Sequence, residues 1–486
     1  MSTLPKISVA AAPRGDHLLY LLPAGKTLPA DLPERGFWQA LLKRKDMKPD
    51  ELAKTPLAAD LPDGKRAVLV MADARQPRFD RLAALRKAAM ALLEEAPKTL
   101  AVISLGVDDA AVADAVYVAQ VNGVPLPAQK KKPTAALKEI IVAHRPASAD
   151  FSRTRTLAGA NLLARELTAL PPNRLDPLAY RKRLRALAKE KGFAIEELDF
   201  RKLKKMGAGA FCAVAQGSHD DDLGEGGGAA IVHLSWRPKQ KAAQTLALVG
   251  KGICYDTGGH NLKPAKYMAG MHEDMNGSAV ALAILCAAAE LNLPVAIDCW
   301  LAIAKNHLSP TAYAQGDIVQ AIDGTTIEVI HTDAEGRMVL ADTLALAARA
   351  QPQLLIDFAT LTGSMQSALG QRYSGVFASD DALAARAVAA GKASGERVCV
   401  FPQDADYEPA LDSKVADIKQ CTLEGDADHI LATRFLGRFV GKTPWLHMDL
   451  SASSCGGGLG AVASDLTGFG VAWGVTLIED WLGKPA

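Results

Sequence analysis

Residues 331–337 read HTDAEGR, with a strand-like run, TTIEVI, before them and a helix-like run, MVLADTLALAARA, after them. This pattern predicts a turn in which Asp333, Glu335 and Arg337 stand at alternate positions. Alternate side chains of an extended segment face one point, and Gly336 lets the backbone come close. Two further acids, Asp256 and Asp274, and two lysines, Lys251 and Lys263, lie in polar stretches that also follow apolar runs. Four clustered carboxylates repel one another unless a cation is present or some stay protonated. A carboxylate-rich set without histidine pairs suits divalent ions such as Mn, Mg or Zn. Carboxylates able to bridge would hold two ions, lower the pKa of a bridging water and clamp a tetrahedral intermediate. Lys263 and Arg337 would neutralise the developing oxyanion. The chemistry that these residues point to is hydrolysis with two metals. Taken alone, Asp274 reads more readily as a helix cap or a surface acid.

The elements that must position these residues are apolar runs ending in polar turns. TLALVG leads to Lys251 and GICYDTGGHNLKP, PVAIDCWLAIA to Lys305 and Asn306, and TTIEVI to HTDAEGR. LLIDFA leads to Thr360-Leu361-Thr362-Gly363, and TPWLHMDL to SASS. In a largely parallel α/β sheet, ligands bind beyond the carboxyl ends of the strands, so several of these turns are expected to converge. Asp176-Pro177 reads as an N-cap with proline at the first helical position, opening a helix that ends at Gly192.

At 486 residues the chain is too long for one ordinary core. Strand-like runs (HLLYLLPA, RAVLVMA, TLAVISL) alternate with a helix-like run, FDRLAALRKAAMALLEEA, in the first part. The expected fold class is α/β. A smaller N-terminal α/β domain would cover 1–150, and a larger catalytic α/β domain with a mixed, largely parallel central sheet would cover 151–486. The second would begin with a linker helix at about 152–170, stopped by Pro171 and Pro172. The 55 Lys and Arg against 54 Asp and Glu leave a net charge of +1, so no global charge favours nucleic acid or an anionic membrane. The run AVALAILCAAA from Ala279 is too short to span a bilayer and reads as a buried helix. The first residues contain no apolar run of signal-peptide length. Seven scattered cysteines with no C-x-x-C suggest neither a disulfide framework nor a zinc ribbon, and a reducing, cytoplasmic setting is the simplest expectation.

These residues resemble the leucyl aminopeptidase (cytosol aminopeptidase) family. HTDAEGRM at 331–338 resembles the family signature N-T-D-A-E-G-R-L. VGKGICYDTGGHNLKPAKYMAGMHEDMNGSA, from Val249 to Ala279, keeps the polar spacings of a second block, and FATLTGSM from Phe358 is a third. The resemblance covers about 165–450 and implies a role for each matching position. Lys251, Asp256, Asp274, Asp333 and Glu335 would hold two divalent ions, Mn²⁺ or Zn²⁺, with Asp256 and Glu335 bridging. Lys251 would have to be neutral to do so. Lys263 and Arg337 would be catalytic, with bicarbonate at Arg337 acting as general base. Met271 and Thr360 would line the pocket for the N-terminal side chain, and Leu361 would contact substrate through its backbone. The implied reaction is release of the N-terminal amino acid, leucine-like preferred, from peptide substrates by a metal-bridging hydroxide. The implied assembly is a homohexamer.

Several positions depart from the family pattern. His331 replaces Asn, Asn276 and Ser278 interrupt a D-M-G-G-A run, and EGDADHILATRFL from Glu424 stands where the family is glycine-rich. None removes a proposed ligand. His331 is expected to hold the Asp333 turn rather than to bind metal. Two other functions remain open at this level. One is a catalytically weak relative that mainly binds DNA, which would not need Lys263 and Arg337. The other is a two-metal phosphoesterase, which a lysine ligand and the TLTG turn fit poorly.

Overall fold

A computed structural model of the chain describes residues 3–73, 75–132, 134–146, 148–220 and 224–483. The outermost residues of both expected domains, 1, 2 and 484–486, lie outside it. The chain divides into two compact units. The first runs to Leu162 and takes in Lys392–Glu396 and Ser454–Thr467; the second holds the remainder. The helix Ser152–Thr168 carries the chain from one to the other.

The first unit is built on six strands in the order Lys6–Ala10, Glu139–Ala143, Thr99–Ser104, His17–Leu22, Arg66–Met71 and Leu57–Asp60. All neighbours run parallel except the last pair. Parallel strands need crossover connections, and the helices Arg78–Leu93 and Asp109–Asn122 supply two of them.

The second unit carries eight strands, ordered Val398–Val400, Ser374–Ala378, Trp445–Asp449, Leu354–Ala359, Gln244–Asp256, Val295–Asn306, Ala230–Trp236 and Ala194–Asp199. Its four middle strands, from Trp445–Asp449 to Val295–Asn306, are mutually parallel, and antiparallel pairs flank them. The fold is α/β with a mixed, largely parallel central sheet, as the alternation of runs predicts. The helices Asn276–Glu290 and Glu335–Ala348 pack on the strand Gln244–Asp256. Both are apolar nearly all round and almost fully buried, as expected of helices at the centre of a large core. The helix Pro177–Lys191 is capped by Asp176, whose side chain accepts from the Ala179 N–H, and it stops at Gly192 with φ +73°.

Three expectations about local structure are corrected. GICYD is not a turn: the strand Gln244–Asp256 runs through it, and the next strand likewise includes Lys305 and Asn306. These two long strands pair with each other well past the end of Leu354–Ala359, the shorter strand on the other side of Gln244–Asp256. TTIEVI does not enter the central sheet. Only Thr326–Glu328 is strand, within a separate three-stranded sheet with Ile318–Gln320 and Ile418–Lys419. Residues 331–337 are not one extended turn either, because the helix Glu335–Ala348 begins at Glu335. An acid at the first helical position is favoured by the helix dipole and unpaired N–H groups, and strong helix formers follow it.

Candidate metal centre

The overhang of the long strands explains how Lys251, in mid-strand, reaches the carboxylate cluster. Its predecessor Gly250 pairs with Phe358, next to the end of the strand Leu354–Ala359. Lys251 therefore stands level with the carboxyl edge of its short neighbour. Asp256 lies at the end of the same strand, beyond a register shift after Ile253. Asp274 stands two residues before the helix Asn276–Glu290, Asp333 lies in the turn before the helix Glu335–Ala348, and Glu335 opens that helix.

The structure brings these side chains together. Lys251 Nζ lies 2.8 Å from Asp274 Oδ1 and 2.8 Å from Glu335 Oε1, and donates to the Thr360 carbonyl at 2.9 Å. Lys263 Nζ lies 2.9 Å from Asp256 Oδ2 and 2.5 Å from Asp333 Oδ1, the latter a close ion pair without good hydrogen-bond alignment. Asp256, Asp333 and Glu335 each offer an oxygen within 4.8 Å of the others. Lys251, Asp256, Asp274 and Glu335 are buried and Asp333 is half-buried. Gly336 is required beside them. A Cβ there would sit 2.6 Å from Lys251 Cε and 2.8 Å from its Nζ.

Supports hold each ligand candidate in place. Asp256 Oδ1 accepts from the Gly258 N–H and from Asn306 Nδ2, both at 2.8 Å. Asp274 Oδ1 accepts from Thr360 Oγ1 at 2.7 Å. The turn before Glu335 is clamped from several sides. Gln420 Oε1 accepts from the N–H groups of Ile330 and His331, Tyr313 donates its hydroxyl to the Thr332 carbonyl, and Asn261 Oδ1 accepts from the Thr332 N–H. His331 Nδ1 accepts from the Asp333 N–H at 3.2 Å, so the ring braces the turn. Asn276, where the family run carries glycine, fits because its Nδ2 donates to Thr168 Oγ1 at 3.0 Å.

The electrostatics are unbalanced. Four carboxylates face two ammonium groups, and among the described residues Asp274 Oδ2 and Glu335 Oε2 are buried without a hydrogen-bond partner. Burial pushes the Asp274 carboxyl up to about 8; Lys251 opposes this and Glu335 adds to it. Burial and the charges of Glu335 and Asp256 push Asp333 up to about 7. Burial also works against Glu335, but Lys251 and Lys263 outweigh it and hold that carboxyl low. Burial favours a neutral Lys251, yet Asp274, Glu335 and Asp256 outweigh it and hold the proton on. As a ligand Lys251 would have to give up that proton, and the carboxylates that now retain it are those that would hold the metal instead. Unpaired buried oxygens and surplus negative charge are what a divalent cation relieves. The donor set, hard oxygens with one amine, therefore fits divalent metal.

The remaining predicted residues fall close by. Thr360 touches both Lys251 and Asp274. The Leu361 N–H donates to Asp449 Oδ1 at 3.0 Å, and Thr362 Oγ1 donates to Asp449 Oδ2 at 2.7 Å, so a buried acid fixes the TLTG turn. Met271 lies half-buried in the single turn Met271–Glu273. Arg337 is buried, donates Nη1 to the Gln420 carbonyl at 2.9 Å, and donates Nη2 to both oxygens of Asp428 at 2.8 and 2.7 Å. Sequence reasoning missed Gln420, Asn306 as a support, Asp449 and Asp428. Asn306, as a polar end to an apolar run, and Asp428, as an acid in a segment that departs from the family's glycine-rich pattern, left a signal. Arg337 thus already has a carboxylate as its counter-charge, and its Nε is left without a partner among the described residues.

Residues 162–475 match the catalytic domain of the cytosol aminopeptidase family. The chain is similar to the probable cytosol aminopeptidase of Roseiflexus castenholzii, 39% identical over 308 residues that cover 63% of this chain and 62% of the relative. It is similar to that of Stutzerimonas stutzeri, 39% identical over 332 residues that cover 67% of this chain and 65% of the relative. The matched part thus spans less than two thirds of these relatives' length. A solved structure described as the bottromycin maturation enzyme BotP in complex with Mn superposes with a TM-score of 0.83 at 30% identity, covering 97% of this chain and all of that one.

Proposed function

The chain belongs to the cytosol aminopeptidase family, and we propose that it is a metal-dependent aminopeptidase that releases the N-terminal amino acid, leucine-like preferred, from peptides. The observation that carries this reading is the buried cluster of four carboxylates around two lysines, with carboxylate oxygens left over. Lys251, Asp256, Asp274, Asp333 and Glu335 would hold two divalent ions, Mn²⁺ or Zn²⁺. The structural relative is a complex with Mn, which supports a divalent metal here. Bound there, such ions supply Lewis acidity toward the scissile carbonyl and acidify a water.

The chain's own residues do the rest. Lys263, held by Asp256 and Asp333, is a fixed ammonium for the oxyanion that develops on the carbonyl. Thr360 and Met271 line the place for the N-terminal side chain. Leu361 has its N–H engaged by Asp449, so its carbonyl is the backbone group it offers the substrate. A peptide's free, uncharged α-amino group would serve as a ligand to one of these ions, which would suit the site to chain ends.

The family resemblance supports a homohexamer in the cytoplasm. All seven cysteines are free thiols. Among the described residues no helix is long and apolar enough to cross a membrane. The test is hydrolysis of leucine p-nitroanilide with added Mn²⁺, before and after chelation, followed by a panel of N-terminal residues. Activity that appears with metal and disappears with chelator is expected. A folded chain inert with every divalent metal would sink the proposal. Light scattering of the purified chain checks the hexamer.

A further inference from the structure

Arg337 enters the fold two residues after Glu335, and its guanidinium is buried. A cation there needs a counter-charge, since an uncompensated buried charge is strongly unfavourable. The chain supplies one. Asp428 stands at the first position of the helix Asp428–Gly437, where the helix dipole favours an anion, and both its oxygens meet Arg337 Nη2. The Gln420 carbonyl takes Nη1, and Nε is the one guanidinium nitrogen without a partner among the described residues. Nη2, which both two-pronged edges of a guanidinium share, is taken by Asp428, so no free pair of N–H groups is left for the two-pronged contact that a carbonate-like anion makes with arginine. A second anion at Nε would also lie against the Asp428 carboxylate and be repelled by it.

We propose that Asp428 is the resident counter-anion of Arg337, so that this chain works without bicarbonate and Asp428 acts as a positioning residue for Arg337 beside Glu335. The carboxylate takes the place of a diffusible anion in the segment where this sequence departs from the family's glycine-rich pattern. A tethered anion is present at full occupancy whatever the dissolved carbonate, and it fixes the arginine without the entropy cost of capturing an ion. This rests on the aminopeptidase reading for its kinetic consequence, but the pairing of Arg337 has a consequence for stability that does not.

The experiment uses full-length, Mn²⁺-loaded wild type, Asp428→Ala and Asp428→Glu in carbonate-depleted buffer. Bicarbonate is added to each, with chloride at equal ionic strength as control. Melting temperature and leucine p-nitroanilide hydrolysis are both read. Wild type is expected to change less than about twofold in rate, with no bicarbonate-specific rise in melting temperature. Asp428→Ala is expected to melt lower, to lose about tenfold or more in rate, and to recover part of both on adding bicarbonate. Asp428→Glu is expected to keep most of the activity and to stay insensitive to bicarbonate. A wild type stimulated severalfold by bicarbonate would overturn the proposal. So would an Asp428→Ala variant that bicarbonate neither activates nor stabilises. If Asp428→Ala does not fold, the wild-type and Asp428→Glu arms decide. If every protein is inert toward peptides, the aminopeptidase reading fails, and the melting measurements still decide this one.

Discussion

Each unit of the molecule buries a cluster of charged side chains, and the two clusters are built to opposite rules. In the first unit Asp114 receives two arginines. Arg78 donates Nε and Nη2 to Oδ1 at 3.1 and 2.8 Å, and Arg81 donates Nε and Nη2 to Oδ2 at 2.9 and 2.6 Å. The remaining Nη1 groups go to the Ala393 and Asp73 carbonyls. In the second unit four carboxylates share two lysines, and two of their buried oxygens have no partner. The first arrangement is saturated and joins the two arginines on one helix, Arg78–Leu93, to Asp114 on the next, Asp109–Asn122. The second keeps unpaired acceptors in a buried place, which a further cation would satisfy. What separates a brace from a site is the balance of donors and acceptors, not burial or charge as such.

That contrast can be broken by mutation. Glu335→Ala removes a carboxylate central to the second cluster. Peptidase activity per folded molecule is expected to fall at least about a hundredfold, and bound metal measured by mass spectrometry to drop with it. Mn²⁺ should raise the melting temperature of wild type and not that of this variant. Asp114→Asn should show the reverse: a stability loss of about 3–5 kcal/mol by urea titration, because buried arginine is left uncompensated, with metal binding and kcat retained in the folded fraction. If Asp114→Asn emptied the metal site, the distinction between brace and site would fail.

Gly336→Ala tests the packing beneath the site. The new Cβ would press on Lys251, so a loss of about 1–3 kcal/mol and weaker metal binding are expected. The smallest expected effect concerns a buried pair in the second unit, His447 with Asp357 at 2.7 Å, where Trp445 Nε1 also donates to Asp357. Burial lowers the His447 imidazole, but Asp357 outweighs it and the pKa is raised from its ordinary 6.5. A raised value in the folded state means stability that is fully present below 6.5 and is lost as pH rises through the higher folded value. Urea midpoints of wild type should therefore fall on raising the pH through and above neutrality, and His447→Gln should flatten that slope.

Much of this was written in the chain in readable form. The apolar runs LLIDFA and TPWLHMDL became neighbouring parallel strands, and AVALAILCAAA became part of a buried helix, because hydrophobic patterning alone places such segments in a core. Asp256, Lys263, Asp333 and Glu335 were identifiable from residue type and spacing, Lys251, Asp274 and Thr360 took their roles from the family resemblance, and the fold does bring them within contact. What sequence could not supply was the geometry that joins them. Lys251 lies in a strand rather than a turn, and it reaches the site only because its neighbour Leu354–Ala359 stops short. Asp333 and Glu335 do not converge by alternation. They converge because a helix starts at Glu335 and Gln420, from far along the chain, clamps the turn before it. Asp428 reads in sequence as one more acid near a helix start, and only the tertiary contact makes it the partner of Arg337. Local physics sets the strands, helices and donor types. Which carboxylates are paired, and which are left for a metal, depends on contacts between segments tens of residues apart, and no local pattern encodes that count.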